Sequence, residues 1–100
     1  MKKDERYHHI LEAALGLAQT VGYRALTRAN VAEAAGVAPS LVSHYYLMVE
    51  LLKMEVLALA VERGILPLVA EGLVAGEAVC LNAPMDLRAR AAVSLIGGEV

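Results

Sequence analysis

The stretch RANVAEAAGVAPSLVSHYYL, residues 28–47, has the spacing of two short helices joined by a tight turn. Ala32 is small where the two helices would cross, because a bulky side chain there would push them apart. Gly36 stands in the turn, where a side chain would strain the backbone. Three valines have the spacing of core residues: Val31, Val37 and Val42. The stretch therefore predicts a helix-turn-helix, although some helical hairpins that never bind DNA meet the same constraints.

A helical period dominates the rest of the chain. Thr27 can cap the second helix, since its hydroxyl can accept a free backbone N–H of the first turn. Gly22 and Gly36 can end the first and second helices through a left-handed turn. Three prolines suit the first position of later helices: Pro39, Pro67 and Pro84. The predicted helices cover about residues 10–21, 28–35, 39–46, 49–63, 67–79 and 84–96, with Gly97 and Gly98 ending the last.

The composition argues against several classes of protein. Cys80 is the single cysteine, so we expect a reducing compartment, no internal disulfide and no cysteine-based metal cluster. The chain opens with charged residues and shows no signal peptide. Charged residues also interrupt its most apolar stretch, 56–81, which leaves no run long enough to span a bilayer. We therefore expect a soluble cytoplasmic protein with no membrane partner.

Charge is distributed unevenly along the chain. The formal net charge of -2 gives no global basic field of the kind that attracts nucleic acid. Residues 1–46 hold five Lys and Arg against four Asp and Glu, a net charge of +1. Residues 47–100 hold four against seven, a net charge of -3. The front of the chain is mildly positive and the back is acidic.

Three stretches resemble the TetR family of bacterial transcriptional regulators: ILEAALGLAQTVGYRALT at 10–27, NVAEAAGVAPSLVSHYY at 30–46 and ELL at 50–52. The resemblance covers about residues 4–63. It implies an all-α fold, in which a three-helix helix-turn-helix head binds DNA and a short helical tail forms a dimer. We accordingly expect residues 1–48 to be the DNA-binding region, and residues 49–100 to be the connecting helix and dimerisation tail.

The third helix has one polar face. At about 100° per residue, Tyr46 lies about 40° and Pro39 about 60° from the core residue Val42, so both are expected to face inward. The outward face then contains Ser40, Leu41, Ser43 and His44. Hydroxyls on such a face can meet base edges or phosphates, and a leucine can meet a thymine methyl group.

The resemblance further implies phosphate contacts for Thr27, Arg28, His44 and Tyr45. Lys2, Lys3 and Arg6 form a short basic arm that could follow the DNA backbone or enter the minor groove. The alternative is that these charged residues form a solvated start of the chain and do not contact DNA. The candidate DNA-binding residues are Lys3, Arg6, Thr27, Arg28, Pro39, Ser40, Leu41, Ser43, His44 and Tyr45.

Three positions depart from the usual pattern of the family. Ala38 replaces a common serine that caps the third helix, a loss of about 1 kcal/mol that Pro39 partly offsets. Ser43 stands where tyrosine is frequent, and Val49 stands where a lysine usually meets a phosphate. These departures weaken the expected grip on the DNA backbone.

The fourth helix carries two apolar rows, so we expect it to pack on the front helices and also on either the tail or a partner chain. Gly72 and Gly76 are four residues apart, which would let another helix approach closely, although simple core packing explains the same spacing. The candidate dimerisation residues are Leu51, Met54, Ala58, Val61, Val69, Gly72, Leu73 and Gly76.

The tail is short for a member of this family. Only 37 residues follow residue 63, which is little chain for enclosing a cavity of ~300 Å³ while also holding a core. We therefore expect no small-molecule effector and no cofactor. A pair with two-fold symmetry would place its recognition helices ~34–36 Å apart on two half-sites.

Other chemistries find little support in the sequence. No nucleophile–base order, glycine-rich phosphate loop or carboxylate pair stands out, so we expect no enzyme and no catalytic residue. His8 and His9 are adjacent and diverge on a helix, so we expect no metal site. The sequence favours a repressor that binds a near-palindromic operator in double-stranded DNA as a homodimer. The alternative is a helical interaction module that does not bind DNA and modulates another regulator.

Overall fold

The computed structural model describes residues 3–96, and side chains from residue 4 onward. These residues form seven α-helices and no strand: α1 (Lys3–Val21), α2 (Arg28–Ala35), α3 (Pro39–Tyr45), α4 (Val49–Arg63), α5 (Leu66–Ala75), α6 (Ala78–Leu81) and α7 (Met85–Leu95). A short 3-10 helix, Tyr23–Ala25, follows α1. The predicted all-α class is confirmed. Gly97 and Gly98, predicted to end the last helix, lie outside the described residues.

The chain folds as two compact units, Met1–Val56 and Leu57–Val100. Within residues 3–96, no helix is both long and apolar enough to cross a bilayer.

In the first unit, α1 packs on α2 and α2 packs on α3. Helix α1 begins at Lys3, earlier than the apolar period indicated, with Asp4 and Glu5 in a first turn where acidic side chains complement the helix dipole. The helix ends before Gly22, as predicted, and the following Tyr23 is buried. The predicted left-handed turn at Gly22 is wrong, because its φ of 89° is combined with an extended ψ of 150°. Small and branched aliphatic residues fill the core: Ile10, Ala14, Ala18, Leu26, Val31, Ala32, Val42, Leu52 and Val56.

In the second unit, α5 packs on α6 and α7. The predicted helix 67–79 is wrong, because two helices occupy this stretch. Gly76 ends α5 in the left-handed region with φ 77°, and Glu77 is extended. A glycine within an apolar period suits a continuous helix as well as a helix end, so the period alone could not reveal the break.

Cys80 is buried against α5. A Cβ atom at Gly72 would overlap the Cys80 Sγ atom, so the glycine makes room for the sulfur. Burial, followed by the nearby Glu77 carboxylate, raises the pKa of the Cys80 thiol. The sulfur therefore stays protonated as a packing group.

Candidate nucleic-acid interface

Helix α2 begins with a reciprocal cap. The Thr27 hydroxyl accepts the Asn30 backbone N–H at 3.0 Å, and the Asn30 side-chain oxygen accepts the Thr27 backbone N–H at 2.8 Å. The Asn30 amide also donates to the Ala25 carbonyl at 2.9 Å, which holds the preceding turn. The predicted cap at Thr27 is confirmed, and Asn30 completes it where the usual capping box has Glu or Gln.

The turn between α2 and α3 depends on a left-handed glycine. Gly36 has φ 70° and ψ 34°, and the next residue, Val37, donates its backbone N–H to the Ala32 carbonyl at 3.0 Å. Few residues other than glycine adopt this conformation without strain. Ala32, Val31 and Val42 are buried, as predicted, whereas Val37 is partly exposed and is not a core residue.

Helix α3 is anchored on one side and exposed on the other. Val42 and Tyr46 are buried, whereas Ser40 and His44 are exposed. Three further candidates are partly exposed: Leu41, Ser43 and Tyr45. The wheel through Val42 therefore predicts the orientation of the helix correctly along most of its length.

The predicted inward orientation of Pro39 is wrong, because Pro39 is exposed. It occupies the first position of α3, beside the exposed residues Gly36 and Ala38, where no core lies beneath the helix. The helical-wheel prediction assumes that the whole helix packs on a core, and it is therefore wrong about the orientation of the first turn. Ala38 forms no side-chain cap, as predicted, because a methyl group cannot accept a hydrogen bond.

Arg28 links the start of α2 to the segment that follows α3. Its Nη2 atom donates to the Leu47 carbonyl, and its buried Nε atom has no hydrogen-bond partner. Sequence reasoning assigned Arg28 to a phosphate and missed this main-chain contact. A carbonyl acceptor leaves no signal in the sequence, because every residue carries one.

Two tyrosine hydroxyls converge on one carboxylate. Tyr7 of α1 and Tyr46 at the end of α3 both donate to Glu55 Oε1 of α4, the latter at 3.1 Å. The two rings stack with centroids 5.8 Å apart. This Tyr7–Tyr46–Glu55 cluster ties the C-terminal end of α3 to α1 and α4.

The cluster changes the acidity of its tyrosines. Burial, and then the neighbouring Tyr7 hydroxyl and the Glu55 charge, raises the pKa of Tyr46 far above its usual range. Burial and the hydrogen bond to Glu55 also raise the pKa of Tyr7. The sequence contained one indication of this cluster: an inward-facing tyrosine needs a partner for its hydroxyl.

Two histidines also make contacts within the first unit, His9 with the end of α2 and His44 with the next residue of its own helix. His9 Nε2 lies 2.6 Å from the Ala35 carbonyl at the end of α2. Because a carbonyl only accepts, this nitrogen carries the proton. The His44 ring packs edge-on against Tyr45, with centroids 5.2 Å apart.

The basic arm is helical where the structure describes it. Arg6 is exposed on α1, which already begins at Lys3. Lys2 and the side chain of Lys3 lie outside the described residues. Within the described part of the chain, no group of three or more His, Cys, Asp or Glu side chains is arranged to hold a metal ion.

The candidate dimerisation residues occupy different environments. On α4, Leu51 and Ala58 are exposed, and Met54 and Val61 are partly exposed. On α5, Leu73 is partly exposed. Two predictions need correction, because Val69 is buried inside the second unit and Gly72 faces Cys80. Gly76 is exposed at the left-handed end of α5, and its place at a dimer contact stays a prediction.

The second unit also has a groove of about 330 Å³, lined by Leu66, Ala89, Arg90, Val93 and Ser94. Ala89, Arg90 and Val93 are exposed, so the groove is open along α7. Its volume reaches the ~300 Å³ of a small-ligand site, but it does not enclose a ligand.

A capped helix, a left-handed glycine turn and a second helix with an exposed polar face together form a helix-turn-helix. Residues 10–46 match the family described as bacterial regulatory proteins, tetR family. The match identifies these residues as a TetR-type N-terminal helix-turn-helix domain, a DNA-binding domain of transcription regulators. Members of this family are regulators rather than enzymes. No curated protein and no solved structure matches the chain significantly.

Proposed function

We propose that this protein is a repressor that binds a near-palindromic operator as a homodimer. The observation that carries the proposal is the exposed face of α3, where Ser40 and His44 project from a helix anchored by buried Val42 and Tyr46. A helix held in this way can enter the major groove as a rigid unit. Two copies would then read two half-sites ~34–36 Å apart.

The side chains of α3 suit different parts of the groove. We assign Ser40 and Ser43 to base edges or phosphates, because their hydroxyls both donate and accept. We assign Leu41 to a thymine methyl group and His44 to a phosphate. Pro39, being exposed, is assigned to the edge of the same contact surface.

The remaining candidates flank α3 and would bind the DNA backbone. Thr27 is exposed at the start of α2, and Tyr45 is partly exposed beside His44. Arg28 has donors besides the one bonded to Leu47, and these suit a phosphate. Lys3 and Arg6 are proposed to meet the backbone at the edge of the site.

The assignment of functions to the two parts of the chain is the one that the sequence predicts. We propose that residues 1–48 bind DNA and that residues 49–100 connect and pair the copies. We propose no small-molecule inducer, because the groove on α7 is open to solvent. The protein would act in the cytoplasm, where its operator DNA lies.

A salt series of fluorescence anisotropy on operator fragments, selected from a random DNA pool, tests DNA binding. If the dimer neutralises ~6 phosphates, the slope of log K against log salt is about -5. Ser40→Glu should abolish selective binding, because it places a carboxylate against the DNA. The matched control is Gln19→Glu, which adds the same charge at an exposed position of α1.

A reporter gene downstream of the selected operator then tests repression. Wild-type protein should lower transcription, and Ser40→Glu should restore it. Selection of no DNA, or equal binding by Ser40→Glu and wild type, would contradict the proposal.

The second candidate is a helical interaction module that does not bind DNA. Two observations favour it. Arg28, which was predicted to bind a phosphate, already uses one of its donors for the Leu47 carbonyl, and the start of α3 has no side-chain cap. Under this alternative, the exposed residues of α4 would pair with another regulator. Retained association with a purified partner regulator, without any salt-sensitive DNA binding, would distinguish the module.

A further inference from the structure

Helix α3 and its flanks lack the side chains that form paired hydrogen bonds with bases. Residues 34–49 contain no Lys, Arg, Asn, Gln, Asp or Glu. In the major groove, Arg and Lys read guanine, Asn and Gln read adenine, and Asp and Glu accept from cytosine. Asn30 of α2 is the nearest amide side chain, and its oxygen and nitrogen both bond main-chain groups at the start of α2. The exposed face of α3 therefore cannot form these contacts.

The first turn of α3 offers a hydroxyl and apolar groups instead. The N-terminal residues of a recognition helix contact base edges, and α3 begins with Pro39, Ser40 and Leu41. Pro39 and Ser40 are exposed, and Leu41 is partly exposed. At about 100° per residue, Ser40 and Leu41 lie at the two sides of an outward arc of about 100°, with the exposed His44 between them one turn later. We call residues 39–41 the reading turn.

The hydroxyl of the reading turn does not distinguish thymine from cytosine. The Ser40 hydroxyl both donates and accepts, so it can bond the O4 acceptor of thymine or the N4 donor of cytosine. The remaining difference between the two bases in the major groove is the 5-methyl group, which thymine has and cytosine lacks. Leu41 is the large apolar side chain of the turn, and covering a methyl group removes apolar surface from water.

We propose that the reading turn recognises 5-methylpyrimidines, with Leu41 covering the methyl group. It therefore binds thymine and 5-methylcytosine alike, and it discriminates both from uracil and cytosine. The inference rests on the proposed binding of operator DNA and specifies the base chemistry that the site reads. It also adds a class of ligand, because a site with cytosine in place of thymine is bound once that cytosine is methylated.

The buried methyl group sets the size of the effect. Covering one methyl group lowers Kd about fourfold, and two half-sites multiply this to roughly 15-fold. Phosphate contacts are independent of the base, so the salt dependence of binding should be the same for methylated and unmethylated DNA.

Fluorescence anisotropy of the full chain on four versions of one selected operator tests the inference. Each thymine position of the half-sites is changed in turn, in both half-sites together, to uracil, 5-methylcytosine or cytosine. At the position that faces Leu41, the 5-methylcytosine version should bind within about threefold of the thymine version, and the other two roughly 15-fold more weakly. The inference is overturned if thymine and uracil bind equally at every position. It is also overturned if 5-methylcytosine binds as weakly as cytosine at every position.

Leu41→Ala tests whether this side chain makes the contact. The variant should reduce the ratio of the uracil Kd to the thymine Kd from roughly 15 to below about 4, with an unchanged salt slope. The ratio compares two DNAs with one protein sample, so partial unfolding of the variant does not alter it. Leu41→Met, which keeps a large apolar side chain, should retain most of the ratio.

The matched control is Leu17→Ala, which makes the same change at a partly exposed leucine of α1 and should leave the ratio unchanged. If Leu41→Ala keeps the wild-type ratio, the methyl effect arises from the shape of the DNA and the inference is overturned.

The same measurements separate this inference from the proposed function. If the random pool yields no bound DNA, the proposed function fails and the inference fails with it. If the pool yields an operator that is bound with the expected salt dependence but without methyl dependence, the inference alone fails and the proposed function stands.

Discussion

Replacing Glu55 by alanine should destabilise the protein by about 1–3 kcal/mol, because it removes the acceptor shared by two tyrosine hydroxyls. Tyr46 is 2% exposed and loses a hydrogen bond to a charged group, which contributes ~1.5–3 kcal/mol. Tyr7 is partly exposed, so water replaces most of its lost contact. The higher helix propensity of alanine offsets at most about 0.5 kcal/mol.

Urea unfolding followed by far-ultraviolet circular dichroism measures this loss. In a thermal melt of a domain of this size, a loss of about 2 kcal/mol should also lower Tm by roughly 8–16 °C. Glu55→Gln is the control, since it keeps an acceptor oxygen at the same position and should cost only about 1 kcal/mol. Tyr46→Phe combined with Glu55→Ala should cost less than the sum of the single changes, because both remove one hydrogen bond. If Glu55→Ala and Glu55→Gln are equally stable, the cluster does not stabilise α3 and the reasoning is refuted.

Three further predictions concern the same unit. Because Tyr46 stays protonated in the folded chain, unfolding free energy should fall above pH ~10, where the unfolded tyrosine ionises, by about 1.4 kcal/mol per pH unit. Urea titrations of Tyr46→Phe should show a slope shallower by this amount, and identical slopes would contradict the raised pKa. Gly36→Ala should cost about 1 kcal/mol of stability through backbone strain alone, since no atom lies within 4 Å of the added Cβ. Gly16→Ala, equally unobstructed within α1, should instead stabilise by up to about 1 kcal/mol in thermal melts, and equal effects would refute the assigned strain. In urea unfolding, Thr27→Ala should lower the free energy of unfolding by about 1 kcal/mol, whereas Thr27→Ser, which keeps the hydroxyl, should lower it by almost nothing. Equal stability of the two variants would show that the cap does not stabilise α2.

The sequence predicted the features that depend on local chemistry. The bounds of α2 and α4 follow from the cap at Thr27, the glycine at 36 and the apolar period, and the structure has the same bounds. The inward orientation of Val42 and Tyr46 also follows from the helical period. Each of these features depends on residues within a few positions of one another.

The sequence did not predict the features that depend on distant contacts. Tyr7 and Glu55 are 48 positions apart, so no local spacing connects them. Arg28 bonds a main-chain carbonyl 19 residues away, which any residue type would supply. The end of α5 at Gly76 and the exposure of Pro39 depend on how far each helix contacts its neighbours. The helical period in the sequence does not contain this information.

The placement of the aromatic side chains makes the first unit spectroscopically distinct. All four aromatic residues are tyrosines within residues 7–46, and the chain has neither Trp nor Phe. Absorption and emission near 280–300 nm therefore arise from the helix-turn-helix unit, while residues 57–100 are silent in that region. A thermal melt recorded through tyrosine and through the peptide bond would show whether the two halves lose their structure together or in sequence, without any added label.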